Sequence, residues 1–231
     1  EKVDGIYPLY WSEGDQISVN GVVSSALTEG GNASASFAFD GTLSYPYSVI
    51  YPAQPKGATE VVFPASQQYV AGTFAPGAAP MYGYAASAGE TIQMNHLAGA
   101  LRFDVSGEDT LSSLVVESES GYLSGTYTVD CTNGALTAVD NSTSSSVTLL
   151  FGDGLALGKE ATSIYVAIPA GTYGKVSATF YSVAGTKMVA TFDTSAKPIS
   201  AGAVREFPPF TYEGTTVEDE FIIDSKEALI R

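Results

Sequence analysis

The chain's only tryptophan stands in Tyr10-Trp11-Ser12-Glu13-Gly14-Asp15-Gln16-Ile17, where two carboxylates bracket a glycine. Paired carboxylates can give and take a proton in hydrolysis, provided they share a face at a fixed separation. Residues two apart share a face in an extended segment, but Gly14-Asp15 favours a turn, so Glu13 and Asp15 are expected to diverge. Glu117 and Glu119 do fall on one face of an expected strand, yet no nucleophile or histidine accompanies them. His96 is the only histidine, and no Gly-x-Ser-x-Gly elbow supplies a serine for a Ser-His-Asp relay through it. Zinc would lack ligands. Asp140, Asn141 and Asp153 offer oxygens to calcium without the Asp-x-Asp-x-Asp-Gly spacing of a binding loop. The glycine-rich pieces match neither a P-loop nor a dinucleotide fingerprint. The expectation is a protein that is not an enzyme and has no cofactor or metal, with Gly14 and Asp15 forming a turn between strands.

Charge narrows the partners. Ten Lys and Arg face 25 Asp and Glu, a formal net charge of −15. That balance repels nucleic acid and anionic membrane surfaces, since both are bound by neutralising phosphates. No apolar run is long enough to span a bilayer as a helix. The single cysteine, Cys131, can form no internal disulfide and is expected to pack as a small apolar residue.

The elements that must position these residues read as strands. Hydrophobic residues make up 45% of the 231, with 14 Tyr, 11 Phe and 24 Gly, the profile of a packed β protein. QISVNGVV, ASFAFDG, YSVIYPA, EVVFPAS, ALRFDVSG, SLVVESE, GTYTVDC, SVTLLFG, SIYVAIPA, KVSATFYSVAG and KMVATFDT are expected strands. Leu101, Phe103 and Val105 alternate with Ala100, Arg102 and Asp104, as when one face is buried. Turn signals such as Asn20-Gly21, Asn133-Gly134 and Gly152-Asp153-Gly154 punctuate them. Regular strands with such punctuation read as β-sandwiches. The Ala-, Gly- and Pro-rich stretch Phe74–Glu90 suggests a division, giving domains at 1–93 and 94–212 and an acidic tail at 213–231. Pro208 and Pro209 cannot donate to a ladder and should end a strand. In the tail, Asp224-Ser225-Lys226-Glu227 matches a capping box opening a helix.

Several pieces, taken in order, resemble the fimbrillin family (Mfa-like or FimA-like) of Bacteroidales cell-surface pilins. They are Trp11–Ile17, Phe63-Pro64-Ala65-Ser66-Gln67-Gln68-Tyr69, Pro80-Met81-Tyr82-Gly83-Tyr84, His96-Leu97-Ala98-Gly99-Ala100-Leu101-Arg102-Phe103, Leu123-Ser124-Gly125-Thr126-Tyr127 and Tyr165–Tyr173. The resemblance implies two tandem transthyretin-like β-sandwich domains and a Trp-x-x-Gly-Asp stretch, Trp11 to Asp15, that is structural, with Gly14 and Asp15 in a turn and Trp11 in or over the core of the first domain. It also implies export as a lipoprotein precursor, display at the outer membrane, and partners that are other pilin subunits. Related shaft subunits lose an N-terminal strand to a protease and accept a neighbour's strand in the groove left behind. Neither a lipobox cysteine nor a cleavage arginine stands in this sequence. Asp109-Thr110-Leu111 resembles the O-glycosylation motif of the same bacterial group.

Three readings compete. The first is a structural or adhesive fimbrial subunit, with Phe221-Ile222-Ile223 either pairing with another chain or packing on its own. The second is a surface carbohydrate-binding module or non-polymerising tip adhesin, with Tyr82, Tyr84 and Tyr122 as stacking candidates for host or bacterial glycans. The third, a glycoside hydrolase, needs an acid pair in a cleft.

Overall fold

A computed structural model describes residues 9–53 and 59–216 of the 231-residue chain. The described residues are all-β, with no helix.

The first sheet grows from a hairpin. Asn20 and Gly21 both take positive φ, 50° and 80°, and join β1 (Ser18–Val19) to β2 (Val22–Val23). This tight reversal suits the twist of paired strands. β3 (Tyr47–Tyr51) pairs with β1. Four strands follow: β4 (Glu60–Phe63), β5 (Ser66–Val70), β6 (Thr73–Phe74) and β7 (Met81–Ala85). β7 pairs with β3, and β8 (Asn95–His96) closes the sheet in the order β2-β1-β3-β7-β8. β3 is covered on both faces: Val49 packs with Ile17, Val19, Trp11 and Phe37, and Ile50 with Val61 and Phe63.

The longer strands form the rest. β9 (Ala98–Ser106), β10 (Thr110–Ser118), β11 (Ser124–Asp130), β12 (Ala135–Ser144) and β13 (Ser146–Ala156) come first. β14 (Thr162–Pro169), β15 (Lys175–Ser182), β16 (Thr186–Asp193), β17 (Val204–Glu206), β18 (Phe210–Thr211) and β19 (Thr215–Thr216) complete the order. A seven-stranded sheet runs β19-β16-β15-β10-β13-β5-β6, a second β12-β11-β4 and a third β14-β9-β17, with β18 also on β9.

The main core lies between the seven-stranded sheet and the β14-β9 layer. Leu101, Phe103 and Val105 of β9 and Ile164, Val166 and Ile168 of β14 meet Leu114, Leu149 and Phe180 there. The other face of the β14-β9 layer is also covered, since Ala98 and Ala167 join the cluster of Phe63, Leu97, Tyr127 and Cys131. Burial on both faces explains why β14 is apolar without interruption from Ile164 to Pro169. The alternation of Arg102 and Asp104 holds, and the two are paired at 2.9 Å.

Three readings of the sequence are altered. ASFAFDG forms no strand: residues 24–46 carry none, and Phe37 and Phe39 reach the core from irregular backbone. The alternation was real, but no neighbouring strand pairs with it. Strand pairing also crosses the division drawn at 93/94, because β4 pairs with β11 and β5 with β13. The separator stretch itself contains β7. Pro208-Pro209 interrupts pairing rather than ending it, since β17 and β18 lie on either side of it along the same strand, β9.

Candidate functional site

The Trp11 stretch folds as a hydrogen-bonded turn against a loop. Ser12 N–H donates to Asp15 Oδ2 at 2.7 Å, and Asp15 N–H to the Ser12 carbonyl at 3.1 Å. Gly14 sits at φ 87°, in the left-handed region. The Tyr51 hydroxyl donates to Asp15 Oδ1 at 2.9 Å. Burial first, then the bond to Asp15 and its charge, push the Tyr51 hydroxyl pKa well above its ordinary value. Both Asp15 oxygens are thus engaged in the turn, and Glu13 is exposed beside it.

The loop over 27–32 lies alongside. Gly14 N–H donates to Leu27 O at 2.8 Å, Leu27 N–H to Asp15 O at 2.9 Å, Trp11 N–H to Asn32 O at 2.9 Å and Gly31 N–H to Trp11 O at 2.7 Å. Gly30 makes the approach possible: a Cβ there would lie 2.7 Å from Glu13 N and 2.9 Å from Ser12 Cα. The Trp11 ring stands edge-on to Phe37 (centroids 5.0 Å apart, 75°) and to Tyr51 (5.2 Å, 89°). A cleft of about 190 Å³ opens beside the loop, lined by Trp11, Thr28, Glu29, Asn32, Ser34 and Ser36 among others.

The other sequence candidates lie apart. Glu117 is in β10, while Glu119 follows the strand's end and accepts from Lys175 N–H at 3.3 Å. His96 borders a cavity of only about 50 Å³ lined by Phe74, Ala98, Ala100, Gly202 and Ala203, and its burial lowers the imidazole pKa. Among the described residues, no group of three or more His, Cys, Asp or Glu could hold a metal ion. Cys131 is buried, which raises its thiol pKa. Leu111 is fully buried next to the half-buried Thr110. Tyr82 packs against the Phe63 cluster, and Tyr84 and Tyr122 are exposed, the first on β7 and the second between β10 and β11. Phe221-Ile222-Ile223 and the capping box at Asp224 lie outside the described residues.

Sequence reasoning missed the cleft: Thr28, Glu29, Asn32 and Ser34 are polar residues in a segment without periodicity, and Ser36 falls within ASFAFDG, expected as a strand. It also missed β12, a ten-residue strand at the end of its sheet whose outer edge is paired with no described strand.

No protein-family model and no curated protein sequence matches the chain. Among solved structures, the fold is similar to that of a candidate cell adhesion protein from Bacteroides uniformis, with a TM-score of 0.55 at 13% identity, covering 88% of each chain. It is also similar to that of a candidate cell adhesion protein from Bacteroides ovatus, with a TM-score of 0.54 at 13% identity, covering 89% of this chain and 85% of that one. At this identity the likeness shows the fold.

Proposed function

We propose that this chain is a structural or adhesive subunit of a bacterial surface fimbria that acts by binding rather than by catalysis. It reaches the surface as a lipoprotein precursor and joins its neighbours by exchange of β-strands. The observation that carries the reading is an all-β fold shared over nearly nine-tenths of the chain with two Bacteroides candidate cell adhesion proteins. The ordered sequence pieces that resemble fimbrillins support it.

The physical means is addition of a strand to a sheet edge, where main-chain hydrogen bonds give strength and alternate side chains give register. β12 offers ten residues of edge, while a long free edge is ordinarily a liability that proteins blunt. Phe221-Ile222-Ile223 supplies the apolar, β-prone side chains of a donor segment.

The test is light scattering with size-exclusion chromatography, then electron microscopy, on the precursor with its native N-terminus before and after trypsin-like cleavage. Fibres or ladders are expected only after cleavage, and are expected to vanish when residues 217–231 are deleted. A cleaved protein that stays monomeric would exclude a shaft subunit.

A further inference from the structure

We infer that the outer face of the seven-stranded sheet docks a second copy of this chain, the two faces meeting about a twofold axis. The contact uses side chains on a sheet surface, so it is separate from strand exchange at an edge.

Strand register assembles the face. Val115 lies between Leu114 and Val116, Thr148 between Val147 and Leu149, and Thr179 between Ala178 and Phe180, and all six neighbours belong to the main core. The three between them therefore point outward. Ladder partners align Ser66, Thr148, Val115, Thr179 and Val189 in one row across β5, β13, β10, β15 and β16. The row on one side of it carries Leu150, Ser113 and Tyr181, and the row on the other Glu117, Ser177 and Thr191. The face is open to solvent: Val189 is 54% exposed and Leu150 37%, and Ser66, Glu117 and Thr191 are exposed.

The side chains favour a copy over an unlike partner. The hydroxyls of Thr148, Thr179, Thr191, Ser113 and Ser177 hydrogen-bond no described residue. A hydroxyl both donates and accepts, so a face built of them is complementary to itself. A twofold contact demands that property. Short Ser, Thr and Val side chains also leave a low surface, on which a second sheet can lie at the usual sheet-to-sheet spacing of about 10 Å.

Charge points the same way. The chain carries −15, yet across these three rows the charged residues are Glu117 and Lys187, one of each sign, and the next rung sets Lys175 opposite Asp193. Copies that repel in other orientations meet here without like charge between them.

Size sets the strength. Five strands about 4.8 Å apart span about 24 Å, and the rows run about 20 Å along the strands, or about 500 Å² per copy. About 1,000 Å² in total lies at the lower limit for a specific contact and fits a weak, reversible dimer.

The test is sedimentation velocity on the uncleaved precursor at 0.15 M salt, from about 1 µM to about 1 mM protein, the span of weak association. A monomer–dimer equilibrium is expected. Thr148→Glu and Val189→Glu each place like charges on both copies and should weaken it at least tenfold. Val22→Glu adds the same charge on β2, in the first sheet, and should leave it within about twofold. Urea midpoints should stay at the wild-type value; should one face variant fail to fold, the other decides. A protein monomeric throughout overturns the inference, as does a dimer that a folded face variant leaves unchanged or that Val22→Glu weakens equally. Fibres are read separately after cleavage, so loss of the dimer with intact fibres removes this face and leaves the fimbrial reading standing.

Discussion

Gln67 is only 2% exposed and does the work of a missing strand. Its Nε2 donates to Ala167 O at 2.7 Å and its Oε1 accepts from Ala167 N–H at 3.2 Å, on the outer edge of β14. Gln67→Met keeps the volume but leaves both backbone groups buried and unpaired. A loss of about 3 kcal/mol in urea unfolding is expected. Gly30→Ala is expected to displace the Ser12-Glu13 backbone, because the new Cβ would sit 2.7 Å from Glu13 N. The check is a red shift in Trp11 emission with the core otherwise folded. At His96, burial holds the imidazole pKa below its ordinary 6.5. As pH falls through that value the unfolded chain takes up a proton that the folded one refuses, so stability is lost on acidification and unaffected above neutrality. The fall in urea midpoint between about pH 7 and pH 5.5 should be smaller in His96→Gln than in wild type.

Among elements, β9 organises the molecule. Phe103 on it meets Phe180, Phe192 and Phe207 at 5.8, 5.5 and 5.2 Å between centroids. Phe103→Ala should therefore cost about 3–5 kcal/mol in a denaturant titration, through lost contacts and the cavity left behind. β9 was legible in the sequence because Leu101, Phe103 and Val105 alternate against Arg102 and Asp104. β5 and β12 were not, since SQQYV hides a buried glutamine among polar neighbours and ALTAVDNSTS is exposed at an edge. The turn at Gly14-Asp15 could be read locally. The cleft could not, because Trp11 and Ser36 are brought together by a loop whose course follows from the fold. Pairing between β5 and β13, some eighty residues apart, likewise leaves no local trace.

At the scale of the whole molecule, charge opposes association. Copies carrying −15 repel one another, and salt shortens the reach of that repulsion from about 30 Å at 0.01 M to about 8 Å at 0.15 M. The assembly proposed above should therefore proceed faster at the higher salt, measured by light scattering after cleavage. The layers meanwhile interlock: β4 and β5, early in the chain, are built into sheets completed much later, so the early strands cannot be peeled away as a unit.

The direction of β17 and β18 has a mechanical consequence. Both run parallel to β9, whereas β15 and β16 run antiparallel with Lys175 opposite Asp193 at the open end. Tension applied between Ala98 and Thr211 loads opposite ends of a parallel pair, so its hydrogen bonds slide together and must rupture as a group. Tension applied between Lys175 and Asp193 unzips one rung at a time. Single-molecule pulling through paired handles should find the first geometry strong and the second weak, which would let a tethered adhesive protein bear flow along the axis of β9.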